Sequence, residues 1–353
     1  MMVREIGSEF ELPSSRGKNE SSKKLCLPGD VCFSFSGRSA LEYVLKDADA
    51  YGKAMLPSYC CDSMIEPFRR RGIEVGFYQV EFDGRLKIRY DEIPGDCTLL
   101  LVCGYFGFCI PEVPQYVIES IHEKGGVVIE DITHSLLSAN VCHPWCDYAI
   151  ASIRKWLPLL SGGIAVKVHG RFASRPEFDV PTDYTELKLE AMRQKRAYVD
   201  AGHVGDKQSF LELYRRANAW LRENYSNRRI DRESLEMLNH ADFGEIAEAR
   251  KRNARALYQG LTECSGIRFL FDQNQMDCPL FVPIVVAPSR RDKLRKTLSE
   301  ASIYCPVHWP KPEDRCDSNL YDCELSLVCD QRYSEEDMER VACVVQGAFS
   351  SIG

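Results

Sequence analysis

The stretch that most constrains how this chain can fold is residues 127–163, VVIEDITHSLLSANVCHPWCDYAIASIRKWLPLLSGG. The run Val127-Val128-Ile129 is β-branched and apolar, and it ends in two carboxylates, Glu130 and Asp131. After a polar turn region, a second apolar run, Tyr148-Ala149-Ile150-Ala151, delivers Ser152 and, three residues later, Lys155. Gly162-Gly163 then opens a third apolar run. Runs of about four to six such residues between turn formers predict buried strands. In a parallel sheet, functional side chains gather at the carboxyl ends of strands, where loops leave the core. Asp131 and Lys155 both fall at such ends.

The same alternation extends over the rest of the chain. The segment Phe33–Glu42 predicts an extended piece that turns into a helix at Ser36 or Gly37. A small-residue turn of this kind leaves backbone N–H groups free, so it either holds a phosphate or is an ordinary N-cap. A short strand at 54–56 leads into Pro57-Ser58-Tyr59-Cys60-Cys61, then a helix at 62–72 and a strand at 74–80. An apolar strand at 98–103 ends in Gly104-Tyr105-Phe106-Gly107, and a helix at 112–124 leads to the strand at 127–130. This βαβ rhythm predicts a mainly parallel sheet with helices on both faces, a three-layer α/β/α domain. Residues 183–263 carry helical spacing, interrupted near 202–205 and 239–244, and Arg215, Arg216, Arg222, Arg228 and Arg229 read as solvated helix faces. After Gly266 a smaller α/β unit follows, with strands near 267–271, 280–286, 302–306 and 324–329 and helices at 290–300 and 334–348. The expected organisation is a polar segment at 1–30, loosely ordered at its start, a large domain at 31–240 and a small C-terminal domain at 241–353.

Bulk properties narrow the function. A chain of 353 residues that is 44% hydrophobic and 27% charged can bury a sizeable core. Its net charge of −7 calls for neither nucleic acid nor a membrane surface as partner. The N-terminus has no signal-type apolar core, and Leu99–Ile110 is too short to span a bilayer, so a cytoplasmic protein is expected. The sixteen cysteines lie mostly within apolar runs, as Cys97, Cys103 and Cys329 do, where cysteine acts as a small hydrophobe. Cys60-Cys61 and the group Cys142, His143 and Cys146 lack the paired spacing of structural zinc, and no metal is expected.

An acid and a lysine that meet at strand ends suit pyridoxal phosphate: the lysine bonds to its aldehyde and the acid keeps its ring nitrogen protonated. The alternative is a solvated lysine and a strand-end aspartate of any α/β protein. The ordered set of GRSAL at 37–41, LPSYCCDS at 56–63, GYFG at 104–107, VVIEDITHS at 127–135, SIRK at 152–155 and EARKRNARALYQGL at 248–261 resembles fold-type I pyridoxal-phosphate enzymes. It is most similar to the DegT/DnrJ/StrS sugar aminotransferases, over about residues 30–350. The resemblance implies that Lys155 carries the cofactor and moves the substrate proton, and that Asp131 pairs with the ring nitrogen. It further implies that Ser152, with the turn at Gly37, Arg38 and Ser39, holds the phosphate. His134 stands where the family commonly has a glutamine bonding the cofactor's phenolic oxygen, and Tyr59 is a candidate to stack on the ring or a core tyrosine. Gly104 stands where many relatives carry histidine, and the S-x-x-K spacing is that of amino-acid aminotransferases.

The function these features lead us to expect is transfer of an amino group from an amino-acid donor such as glutamate to a keto or aldehyde acceptor, for which a nucleotide-linked sugar is one candidate, by a homodimer. Alternatives are a lyase or desulfurase-like enzyme on the same cofactor, with Cys60 or Cys305 as persulfide carrier, or a non-catalytic protein on the same scaffold. In the small domain, His308, Trp309 and Arg332 sit at strand-to-loop junctions. They are candidates for substrate contact, through aromatic stacking and bidentate binding of an anion, or for structural roles.

Overall fold

The computed structural model describes residues 4–13, 23–312 and 317–350, so residues 1–3 and 14–22 of the polar N-terminal segment lie outside it. Seven strands form one sheet in the order Asp30–Ser34, Gly163–Lys167, Tyr148–Ala151, Val127–Asp131, Leu99–Cys103, Lys53–Pro57, Glu74–Tyr78. From Tyr148–Ala151 to Glu74–Tyr78 the strands run parallel, whereas Gly163–Lys167 is antiparallel to both its neighbours.

Sequences such as LLLVC and YAIA have no polar alternation because both faces of these strands are covered. Side chains still alternate. Ile164, Val166, Ala149 and Ala151 pack with Leu238, Phe243 and Ile246, while Ala165 and Ile150 belong to the opposite core with Ala40, Leu41 and Val44. The latter three lie on the buried face of helix Gly37–Asp47, which packs on Gly163–Lys167 and Tyr148–Ala151. The result is the expected α/β/α layering.

The long helical stretch is cut by aspartates. Asp206, Asp231 and Asp242 each accept backbone N–H groups at the starts of helices Lys207–Glu223, Arg232–His240 and Phe243–Leu261. The break at residues 224–231 has no mark in the sequence pattern; Asp231 caps the helix that follows it.

The smaller unit is an antiparallel sheet in the order Ile267–Phe269, Phe281–Val286, Glu324–Val328, with helices Phe243–Leu261 and Glu335–Ser350 packed together beside it. The strand expected at 302–306 shrinks to Ile303–Tyr304, which pairs with Ile6–Gly7 and not with that sheet. Ile6 is fully buried, so residues 4–13 form a strap built into the fold. Its carboxylates hold it down: Glu5 to Lys207 at 2.7 Å, Glu9 to Lys188 at 3.5 Å and Glu11 to Lys195 at 3.6 Å. Among the described residues, no helix is long and apolar enough to cross a membrane.

Candidate active site

Asp131 ends its strand, and Lys155 ends the single 3₁₀ turn Ile153–Lys155 that follows the neighbouring strand. Both line a cavity of about 260 Å³ together with Gly37, Arg38, His134, Ser152 and Trp309. Seven residues singled out from sequence therefore surround one space.

Two adjacent carboxylates end the strand Val127–Asp131, and alternation sends them to opposite faces. Glu130 lines a separate cavity, accepts the backbone N–H of His143 at 3.0 Å and faces His143 Nδ1 at 3.1 Å. The Cys142/His143/Cys146 grouping closes around it, with Cys146 Sγ at 3.7 Å. Asp131 Oδ1 accepts the Thr133 N–H at 2.8 Å. Burial pushes the Asp131 carboxyl above its ordinary range, against the lowering effects of Thr133 and Lys155. A cationic N–H partner would restore its charge.

Lys155 faces the cavity, and desolvation by the surrounding protein lowers its affinity for a proton, opposed by Cys61 and Asp131. Its Nζ lies 3.1 Å from His134 Nε2. Burial holds His134 well below the ordinary imidazole range, helped by the charge of Lys155, so the ring is neutral and Nε2 accepts from the ammonium. Trp309 stacks on His134 at 5.4 Å between ring centres. His134 thus sits at the lysine end of the cavity.

At the other end, helix Gly37–Asp47 points its N-terminus at Ser152. A Cβ on Gly37 would lie 3.0 Å from Ser152 Cβ, so the absence of a side chain permits this approach. Ser152 is fixed by its N–H to Thr133 Oγ1 at 3.0 Å. The expectation for Ser39 is corrected: its N–H bonds Ser36 Oγ at 3.1 Å and its Oγ donates to Tyr225 O at 2.8 Å, because Ser36 is the helix N-cap. The Arg38 side chain is also engaged, with Glu66 at 2.9 Å.

Three other candidates are placed elsewhere. Tyr59 is fully buried behind the cavity, against Trp309 at 5.0 Å and Tyr105 at 5.8 Å. His308 is buried, with Nδ1 at 2.7 Å from Ser326 Oγ and its N–H on Glu324 at 2.7 Å, and its ring supports His134 edge-on. Arg332 lines a larger neighbouring cavity, but its guanidinium is taken up by Asp330, Glu11 and the carbonyls of Ser8 and Glu9. It clamps the strap, and no donor remains directed at a ligand.

Sequence reasoning missed Thr133, Arg154, Asn218 and Arg222, which also line the cofactor-sized cavity. Thr133 had a local signal, its position two residues after Asp131. Arg222 was assigned to a solvated helix face; it is exposed, but the last turns of helix Lys207–Glu223 overhang the cavity. Gly104 is explained by Ser135: a Cβ at 104 would lie 2.2 Å from Ser135 Oγ, so this serine fills the space a side chain there would need.

Pyridoxal phosphate fits these residues. Among the described residues Asp131 and Lys155 have no ion-pair partner within the cavity, and a helix N-terminus with Ser152 stands at the far end to meet a phosphate.

The architecture is that of the fold-type I transferases. No protein-family model and no curated protein sequence matches the chain. Solved structures do match its fold. The sugar aminotransferase CalS13 from Micromonospora echinospora is 14% identical, with a TM-score of 0.61 over 90% of this chain and 87% of that one. A DegT DnrJ EryC1 StrS aminotransferase from Brucella abortus is 17% identical, with a TM-score of 0.59 over 90% and 86%. Spr1654 from Streptococcus pneumoniae, in its PLP form, is 12% identical with a TM-score of 0.63 over 92% and 88%.

Proposed function

We propose that the protein is a pyridoxal-phosphate-dependent aminotransferase. It moves an amino group from an amino-acid donor, glutamate, to a keto or aldehyde acceptor of the nucleotide-linked sugar class, as a cytoplasmic homodimer. Residues 31–240 form its cofactor-binding domain and 241–353 its small domain. One observation carries this reading: Asp131 and Lys155, from the ends of adjacent parallel strands, line one cavity with a helix N-terminus at its far end. The fold likeness to CalS13, described as a sugar aminotransferase, supports the acceptor class.

When bound, the cofactor supplies an electron sink for the carbon that loses its proton. Asp131, fixed by the Thr133 N–H, holds the ring nitrogen in its protonated state. Lys155 would anchor the cofactor and, as a free amine, would move the proton at the α-carbon. It must be neutral for that step. Desolvation favours the neutral amine, and His134 Nε2 is placed to share its proton. Ser152 and the N–H groups of Gly37 and Arg38 bind the phosphate. The test is the visible spectrum of the purified protein before and after glutamate. A yellow protein bleached by glutamate supports the proposal, and a colourless protein that cannot be reconstituted refutes it.

Cys61 and Cys103 also line the cavity, which favours a desulfurase-like enzyme as the second reading. Alanine formed from cysteine, with sulfide freed only on addition of a thiol reductant and no amino transfer from glutamate, would replace the first reading by the second.

A further inference from the structure

A second cavity of about 880 Å³ adjoins the first, and Arg154 and Lys155 line both spaces. A molecule entering the larger cavity therefore reaches Lys155 and Arg154 together. The one-turn helix Ile153–Lys155 produces this, because about three residues per turn splay consecutive side chains.

The other cations of the larger cavity are already engaged. Lys207 bonds Glu5 and Tyr304, Arg250 bonds Gln331 and Leu280 O, and Arg295 bonds Cys305 O. Lys296 lies 3.8 Å from Glu300, and Arg332 is held by Asp330 and Glu11. The strap's three carboxylates likewise have their own lysines. Glu9 feels the charge of Arg154, but its oxygens bond Lys188 and Asn218. Arg154 is left with a buried Nε that has no hydrogen-bond partner, and among the described residues no carboxylate lies within ion-pair distance of it. A planar guanidinium left unpaired beside the reactive lysine is suited to a carboxylate, which it binds bidentately.

We propose that Arg154 is the specificity-determining residue that binds the substrate carboxylate, so that at least one of the two substrates is an amino or keto acid seated in the larger cavity. The assignment rests on the aminotransferase reading and adds a substrate contact to it. The other oxyanion that could reach Arg154 is the cofactor's phosphate, and the experiment separates the two.

Arg154→Gln and Arg154→Lys are compared with the wild type in two titrations. Pyridoxal phosphate is followed by absorbance, and succinate, an unreactive dicarboxylate, by calorimetry on protein with and without cofactor. Succinate should bind the wild type, weaken by about tenfold or more in Arg154→Gln and by less in Arg154→Lys, with cofactor affinity and melting temperature unchanged. Unaltered succinate affinity, or no succinate binding to the wild type, overturns the proposal. A loss of cofactor affinity in place of succinate affinity overturns it too and assigns Arg154 to the phosphate. If the wild type fails to take up pyridoxal phosphate at all, the aminotransferase reading falls, a result distinct from any succinate outcome.

Discussion

Glu324 is fully buried, and replacing it with glutamine should make the protein more stable at alkaline pH. Its carboxyl accepts the His308 N–H at 2.7 Å and the Ser326 hydroxyl, yet burial still pushes it from an ordinary 4.5 to about 8. Below 4.5 the folded and unfolded chains both carry the proton. Between 4.5 and 8 the unfolded chain ionises while the folded one retains its proton, so stability falls as pH rises through that window, and it levels off above it. At ~1.4 kcal/mol per tenfold change in the proton equilibrium, the whole window is worth about 5 kcal/mol. Glutamine keeps the shape of the protonated acid: its oxygen can accept from His308 and its amide can meet Ser326. Urea unfolding of both proteins at pH 5 and pH 8.5 gives the test. The variant should gain roughly 3–5 kcal/mol on the wild type between the two values, with groups elsewhere cancelling in the difference. A difference independent of pH would show that Glu324 is ionised in the folded protein, and with it that His308, behind His134, packs against a charge.

Four further outcomes are expected. Lys155→Ala should abolish covalent attachment of pyridoxal phosphate, read by borohydride trapping and peptide mapping; label on Lys167 or another lysine refutes the assignment. Asp131→Asn should still bind the cofactor but lose on the order of 10²–10³ in turnover, since the lost charge matters most in the transition state; near-normal turnover would mean another acid holds the ring nitrogen. Gly104→Ala should cost about 1–3 kcal/mol through its collision with Ser135, and Ser135→Gly should relieve most of it, as chemical denaturation of single and double variants would reveal. Arg332→Ala should destabilise by about 3–5 kcal/mol, because Asp330 loses its ion-pair partner and Glu11 is left with Lys195 alone, while retaining specific activity per folded molecule; an intact stability with weakened acceptor binding would restore Arg332 as a substrate residue.

The local pattern of the chain already contained the strands, the helix that opens at Gly37 and the positions of Asp131 and Lys155 at strand ends. Hydrophobic periodicity and turn residues act over a few neighbouring positions, and a parallel sheet directs its strand ends to one edge. Other features depended on which distant segments meet. Trp309 reaches His134 and Arg222 overhangs the cavity through packing that no local pattern encodes. Ser39 and Arg332 were plausible ligands by position alone. Only the tertiary structure shows the Ser39 hydroxyl taken by the Tyr225 carbonyl and the guanidinium of Arg332 taken by the strap. The strap itself read as a polar tail, because its anchoring lysines, Lys188, Lys195 and Lys207, lie far along the sequence. A residue's type sets which bonds it can make, but in a folded chain competition among neighbours brought from afar decides which of them it makes, and so whether a group is left free for a ligand.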